Sequence, residues 1–181
     1  SITATTDNDK TLLANFIESN NISQFYIVKG EKFDVNKKGV WLDNFYAEEN
    51  KLKIGDEITI KYDGYSFKEK IVGFINVPDH VYDVKDESEL YPDHGEFGFA
   101  YLSANELASY IEQKAMDKLG VDKETLEKMN FNYKDELVFN YVMVDVDKKK
   151  NTASVKDDIE KNVENAKAII KIESRFTRIK L

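Results

Sequence analysis

Both histidines of this 181-residue chain stand in the same tripeptide, Pro78-Asp79-His80 and Pro92-Asp93-His94. Imidazole nitrogens beside carboxylates are zinc donors, so a segment that folds back could bring His80, His94, Asp79 and Asp93 together as a ligand set. Pro-Asp is also ordinary turn chemistry and the spacing matches no ligand pattern, so the expectation is that no metal and no cofactor is held. Between the tripeptides, Asp83, Asp86, Glu87 and Glu89 could offer oxygens to calcium. Without the glycine-centred spacing of an EF-hand they read as a solvated acidic loop. Tyr82, Tyr91, Phe97, Phe99 and Tyr101 flank the same region, and aromatic anchors bury much area in protein contacts at small entropic cost. The alternation of Phe97, Phe99 and Tyr101 fits a strand's core face as well. The candidate partner-binding loop is therefore Pro78, Asp79, His80, Tyr82, Tyr91, Pro92, Asp93, His94 and Phe97.

No catalytic constellation stands out. Among 34 carboxylates, acid/base pairs can be drawn almost at will. There is no Gly-x-Ser-x-Gly elbow and no glycine-rich phosphate loop. The expectation is that the chain is not an enzyme; an acid-dependent hydrolase survives only because carboxylate pairs cannot be eliminated by inspection.

Composition bounds the rest. The 41% hydrophobic and 12% aromatic content excludes a disordered tail despite 33% charged residues. A chain of this length can bury roughly 70% of its unfolded surface. A formal charge of -8 argues against a nucleic-acid partner, since phosphate-backbone binders neutralise phosphates with clustered Lys and Arg. The absence of cysteine removes disulfides, thiol catalysis and Cys-based zinc sites, and suits either a cytoplasm or the outer surface of a bacterium without oxidative folding. No apolar run of about 18 residues is present.

The elements that must position these residues follow from periodicity. Residues 1–6 have strand character, and Asp7-Asn8-Asp9 could cap a helix carrying Leu12, Leu13, Phe16 and Ile17. A strand at 25–28 would complete a β-α-β unit with parallel pairing. Val40-Trp41-Leu42 reads as a strand, 44–50 as a short helix buried through Phe45 and Ala47, and Gly55-Asp56 as a turn entering a hairpin. Ile58, Ile60 and Tyr62 alternate, Asp63-Gly64 can supply positive φ, and Tyr65, Phe67, Ile71 and Gly73 keep the step of two on return. Only Glu69 interrupts that face. Gly73 inside a strand suggests a bulge or close packing. Residues 97–102 form a strand, and Ser103 with Glu106 matches a capping box opening a helix through Leu107, Tyr110, Ile111, Ala115, Met116 and Leu119. Gly120 ends it, and Asp122 caps a second helix through Leu126 and Met129. Residues 137–146 form the most apolar strand, placed centrally; 152–165 form a helix through Val155, Ile159 and Val163; 168–172 form a last strand. The tail with Lys171, Arg175, Arg178 and Lys180 suits anionic lipid headgroups or a solvated strand face.

Gly39-Val40-Trp41-Leu42-Asp43, Ala47, Leu52, Ile54-Gly55-Asp56-Glu57-Ile58, Val72-Gly73-Phe74 and Val77-Pro78 through Tyr82 resemble the extracytoplasmic domain of MacB/FtsX-type ABC transporter permeases, of the Gram-positive kind. The resemblance implies an α+β fold of two lobes: a βαβ-type, porter-like α/β lobe (1–29 and 97–181) interrupted by an inserted β-rich lobe (30–96). It implies a single non-catalytic domain at the extracellular face of the bacterial plasma membrane, coupling cytoplasmic ATP hydrolysis to export or to an extracellular partner. The implied partners are an ABC ATPase subunit, reached through the membrane part of the permease, and an extracellular protein, lipoprotein or peptide, with the full-length permease dimeric. The alternative is a free-standing secreted protein-binding module using its β-rich part as a recognition surface.

Overall fold

A computed structural model describes residues 1–22, 24–78, 93–132, 141–145, 152–162, 167–170 and 176–180. The chain divides into two compact units, residues 1–20 with 24–136, and residues 137–181 with 21–23.

The first unit is a closed, mixed β-barrel. Its strands are β1 (Ile2–Thr5), β2 (Thr11–Ile17), β3 (Tyr26–Gly30), β4 (Val40–Asp43), β5 (Glu57–Tyr62), β6 (Tyr65–Asn76) and β7 (Phe97–Ser103). Hydrogen bonding runs β6-β4-β7-β2-β1-β5 and returns from β5 to β6, closing six strands, with β3 added to β6. The β4/β6 and β2/β7 pairs are parallel and the others antiparallel. Three short helices accompany the barrel: α1 (Asn44–Glu49), α2 (Ala104–Leu119) and α3 (Lys123–Lys128).

This corrects the expected α+β fold of two lobes. The first segment is no β-α-β unit, because residues 11–17 are strand β2 and β1 pairs with it antiparallel, Ile2 opposite Ala14 and Thr5 opposite Thr11. Asp9 adopts φ +58, and Thr6 N–H donates to Lys10 O at 2.8 Å, so Asp7-Asn8-Asp9 makes a hairpin turn where a helix cap was expected. Leu12 and Leu13 followed by Phe16 and Ile17 match a helical stripe, but β2 lies between β1 and β7 and needs apolar side chains on both faces. A short apolar run satisfies either demand. Strand β3 likewise pairs with β6 and not with β1.

The barrel interior draws Ala4, Leu12, Ala14, Val40, Leu42, Ile58, Ile60, Ile71, Phe74, Ala100 and Leu102 from all six strands. The alanines suit a barrel this narrow, where small residues must oppose large ones. A second cluster holds Trp41, Val72, Ile75, Phe99 and Tyr101, covered by Phe25, with Phe33 against Trp41 at 4.9 Å between ring centres.

The hairpin is as its sequence demands. Asp63 (φ +48) and Gly64 (φ +77) form the turn, with Tyr62 opposite Tyr65. Gly55 takes φ +97, and Asp56 Oδ2 accepts from Lys53 N–H at 2.8 Å. The step of two on β6 does not run to Gly73: Val40 pairs with Ile71 but Trp41 with Gly73, so Val72 is an extra residue and Phe74 returns to the barrel interior. In α1 the buried residues are Tyr46 and Ala47, while Phe45, expected inside, is 46% exposed.

In the second unit, β8 (Tyr141–Asp145), α4 (Thr152–Asn162), β9 (Lys167–Ile170) and β10 (Phe176–Lys180) form a three-stranded antiparallel sheet, order β8-β10-β9, with α4 against β9. The tail strand β10 is central and β8 lies at the edge, whereas residues 137–146 were expected to be central. The apolar character of residues 137–146 did not report the position of the strand in its sheet.

Candidate functional site

Strands β4 and β6 end, and β7 begins, at the same end of the barrel, since Asp43 pairs with Ile75 and Leu42 with Ala100. The candidate partner-binding loop therefore leaves and re-enters the barrel at one rim. Pro78 is exposed at its departure, and Asp93, His94 and Phe97 lie at its return. Asp79, His80, Tyr82, Tyr91 and Pro92, and the acidic Asp83, Asp86, Glu87 and Glu89, lie outside the described residues.

The return is built by turn chemistry. Asp93 Oδ1 accepts from Gly95 N–H at 2.9 Å, and its carbonyl accepts from Glu96 and Phe97 N–H. Gly95 O in turn accepts from Lys10 Nζ at 2.7 Å and from Asn50 Nδ2 at 3.2 Å, while Thr11 N–H reaches Glu96 O at 2.9 Å. The β1–β2 turn and the end of α1 thus pin residues 93–97 to the rim. The His94 ring lies over Phe45, 5.0 Å between centres and 30° between planes. Among the described residues no group of three or more His, Asp or Glu side chains is placed to hold a metal ion. Phe99 and Tyr101 are buried in the second core cluster, and half-buried Phe97 meets Phe99 edge-on at 5.2 Å.

Chemistry that sequence reasoning did not single out sits elsewhere, where α2 begins. Ser103 caps α2, accepting from Asn105 N–H at 3.0 Å, and Glu106 closes the capping box by accepting from Ser103 N–H. Glu106 is also 93% buried, for it is only 7% exposed, and its Oε1 accepts from Gly39 N–H at 2.8 Å. Glu69, 2% exposed on β6, hydrogen-bonds Glu106 and takes the Tyr110 hydroxyl on Oε1. The Tyr110 ring stacks on Phe67 at 4.5 Å, aligning that hydroxyl.

Two carboxyl groups that share so little water cannot both ionise cheaply. Burial, and then the charge of Glu106, push the Glu69 carboxyl up to about 7. Burial pushes Glu106 up too, against the Gly39 and Ser103 amides, Glu69 and Lys38, which favour its charge. The pair therefore keeps one proton near neutral pH. The signal was present in the sequence: Glu69 is the single break in the alternating face of β6, and Glu106 is the capping-box glutamate. Each alone has an ordinary reading, and nothing in one dimension places them together.

A shallow depression bounded by Thr5, Lys61, Tyr62, Asp63, Gly64 and Ser66 lies at the hairpin tip. Its cation, Lys61, is paired with Asp7 at 2.8 Å, and Asp63 lies exposed at the hairpin tip.

Among the described residues no helix is long and apolar enough to cross a membrane. Comparison with known protein families gives no match, and comparison with curated proteins gives none that is significant.

Proposed function

We propose that this chain is a non-catalytic extracytoplasmic domain of an ABC-type permease, which meets an extracellular protein, lipoprotein or peptide at the barrel rim where the chain leaves at Pro78 and returns at Asp93–Phe97. The observation that carries the reading is the resemblance of residues 39–43, 54–58 and 72–74 to such domains. The burial of Val40, Trp41, Leu42, Ile58, Val72 and Phe74 supports it to this extent: those residues build the two core clusters of the first unit, so the likeness concerns a folding unit and not a scattered surface pattern. Exposed Phe45 and half-buried His94 and Phe97 supply aromatic surface at the rim where the loop returns. In this reading the domain moves as a body when the ATPase drives the membrane part, and the rim transmits that motion to the partner.

The test is topology in the intact cell. The full gene should encode apolar segments of about 20 residues on both sides of this domain, together with an ATPase bearing a glycine-rich phosphate loop. A Tyr62→Cys variant of the full protein, altered at an exposed hairpin position, should react with a membrane-impermeant maleimide in whole cells. A gene with neither feature, or labelling seen only after lysis, overturns the reading; a signal peptide with no apolar segment after the domain would instead indicate a free-standing secreted module.

A further inference from the structure

The Glu69–Glu106 pair joins three separate pieces of chain. Glu69 comes from the middle of β6, Glu106 from the first turn of α2, and the amide on Glu106 from Gly39 at the entry to β4. Tyr110, one turn further along α2, adds a fourth contact by donating to Glu69. Glu106 Oε2 is buried, and apart from the proton shared with Glu69 no donor among the described groups reaches it. A carboxylate oxygen in that situation is an unmet cost that a proton removes.

The surroundings offer little else to neutralise the pair. Lys38 is the cation whose charge bears on both carboxyls, but it is exposed and so acts through water. Ile58, opposite Glu69 on β5, brings no charge, and Lys68 and Lys70 alternate to the outer face of β6 and are exposed. From α2 the groups that face Glu69 are Glu106 and Tyr110. The amides of Gly39 and Ser103 help Glu106 alone.

We propose that Glu69 and Glu106 form a proton-linked latch, which holds the first two turns of α2 against β6 while the pair retains one proton and loosens them when that proton leaves. The ligand is a proton, and the moving part is α2, whose apolar stripe of Leu107, Tyr110, Ile111, Ala115 and Met116 is half-buried and never fully enclosed. The barrel strands are tied by ladders on both sides and do not share this dependence. Helix α2 is tied to the barrel by side chains alone, the buried pair, the Tyr110–Phe67 stack and half-buried apolar groups, with no strand ladder to hold it, so it is the element that opens first. The inference stands apart from the permease reading and would hold in any compartment.

Amide hydrogen exchange of the intact chain at pH 5 and pH 7.5, corrected for intrinsic exchange, reads the latch directly. The opening equilibrium of residues 104–112 should rise at least about tenfold between the two pH values, with β2 and β7 changing little. Glu69→Gln keeps the shape and supplies a permanent donor, and should make α2 protection independent of pH. Glu106→Gln retains an oxygen for Gly39 N–H but leaves Glu69 buried, so should the first variant fold poorly this one should shrink the pH response without abolishing it. If α2 follows the barrel strands at both pH values, or if a folded Gln variant keeps the wild-type pH response, the latch does not exist.

Discussion

Trp41 on β4 lies directly against the backbone of Gly73 on β6: a Cβ added to Gly73 would stand 2.7 Å from Trp41 Cδ1. The indole is fully buried, and its Nε1 donates to Glu31 O at 2.8 Å, so the ring cannot swing aside without losing that bond. Gly73→Ala should therefore destabilise the barrel by about 1–3 kcal/mol, the usual cost of overpacking a rigid site. Trp41 is the chain's only tryptophan, so its fluorescence in a denaturant titration reports the shift without labelling. An unchanged midpoint would mean that β4 and β6 separate more readily than their contact implies.

The caps can be tested one helix at a time. Asp43 Oδ1 accepts from Phe45 and Tyr46 N–H at 2.8 and 3.1 Å, and Asp122 Oδ1 accepts from Thr125 N–H at 2.8 Å. Asp43→Ala should cost about 1 kcal/mol, and Asp122→Ala should destabilise less, because Asp43 is buried beneath the rim and Asp122 is exposed. Thermal melts of the two variants check the order.

These features were readable because each depends on neighbours in sequence. Asp63-Gly64 needs only its own φ angles, Ser103-Glu106 only one helical turn, and Gly120 (φ +65) only the chain's freedom to leave a helix. Barrel closure depends on partners far apart: Thr11 beside Phe97, and Thr5 beside Lys61. Residues 11–17 read as a helix because their stripe of apolar side chains serves a doubly covered strand equally well. Of the candidate loop, the return at Asp93–Phe97 lies among the described residues, and Asp93 there shows the turn chemistry its sequence suggested. The buried pair was half legible. Glu69 stood out as a charge on an apolar face, but its partner lies 37 positions away on another element, where the same glutamate has a sufficient local explanation as a cap.

The rim can be followed through its histidine. His94 stacks on Phe45, so its ring protons should resonate upfield of exposed imidazole values, and Phe45→Ala should return them toward those values. The substitution removes a side chain that is 46% exposed and should change stability by less than about 1 kcal/mol. Proton NMR of the two histidines, before and after the change, distinguishes a pinned rim from one in which His94 turns freely.

Global stability should also carry the mark of Glu69, with a definite sign. Its carboxyl is pushed up to about 7 in the folded chain against the ordinary 4.5 of a glutamate, so the native state binds the extra proton between those limits. Unfolding free energy therefore falls as pH rises from about 4.5 to 7 and is flat in this contribution above 7, by at most roughly 3 kcal/mol. Opening of α2 would cap the loss at a smaller figure. Asp7 and Asp122 act in the opposite sense: Lys61 beside Asp7, and Thr125 bonding Asp122, hold both carboxyls below the usual range, so their contribution is present above it and is lost on acidification. Both are fully exposed and their part is small. Denaturant titrations at pH 5, 6, 7 and 8 should show stability declining to pH 7 in the wild type and a flatter profile in Glu69→Gln. A wild-type profile that rises through this interval would assign the buried proton to neither glutamate and remove the physical basis of the latch.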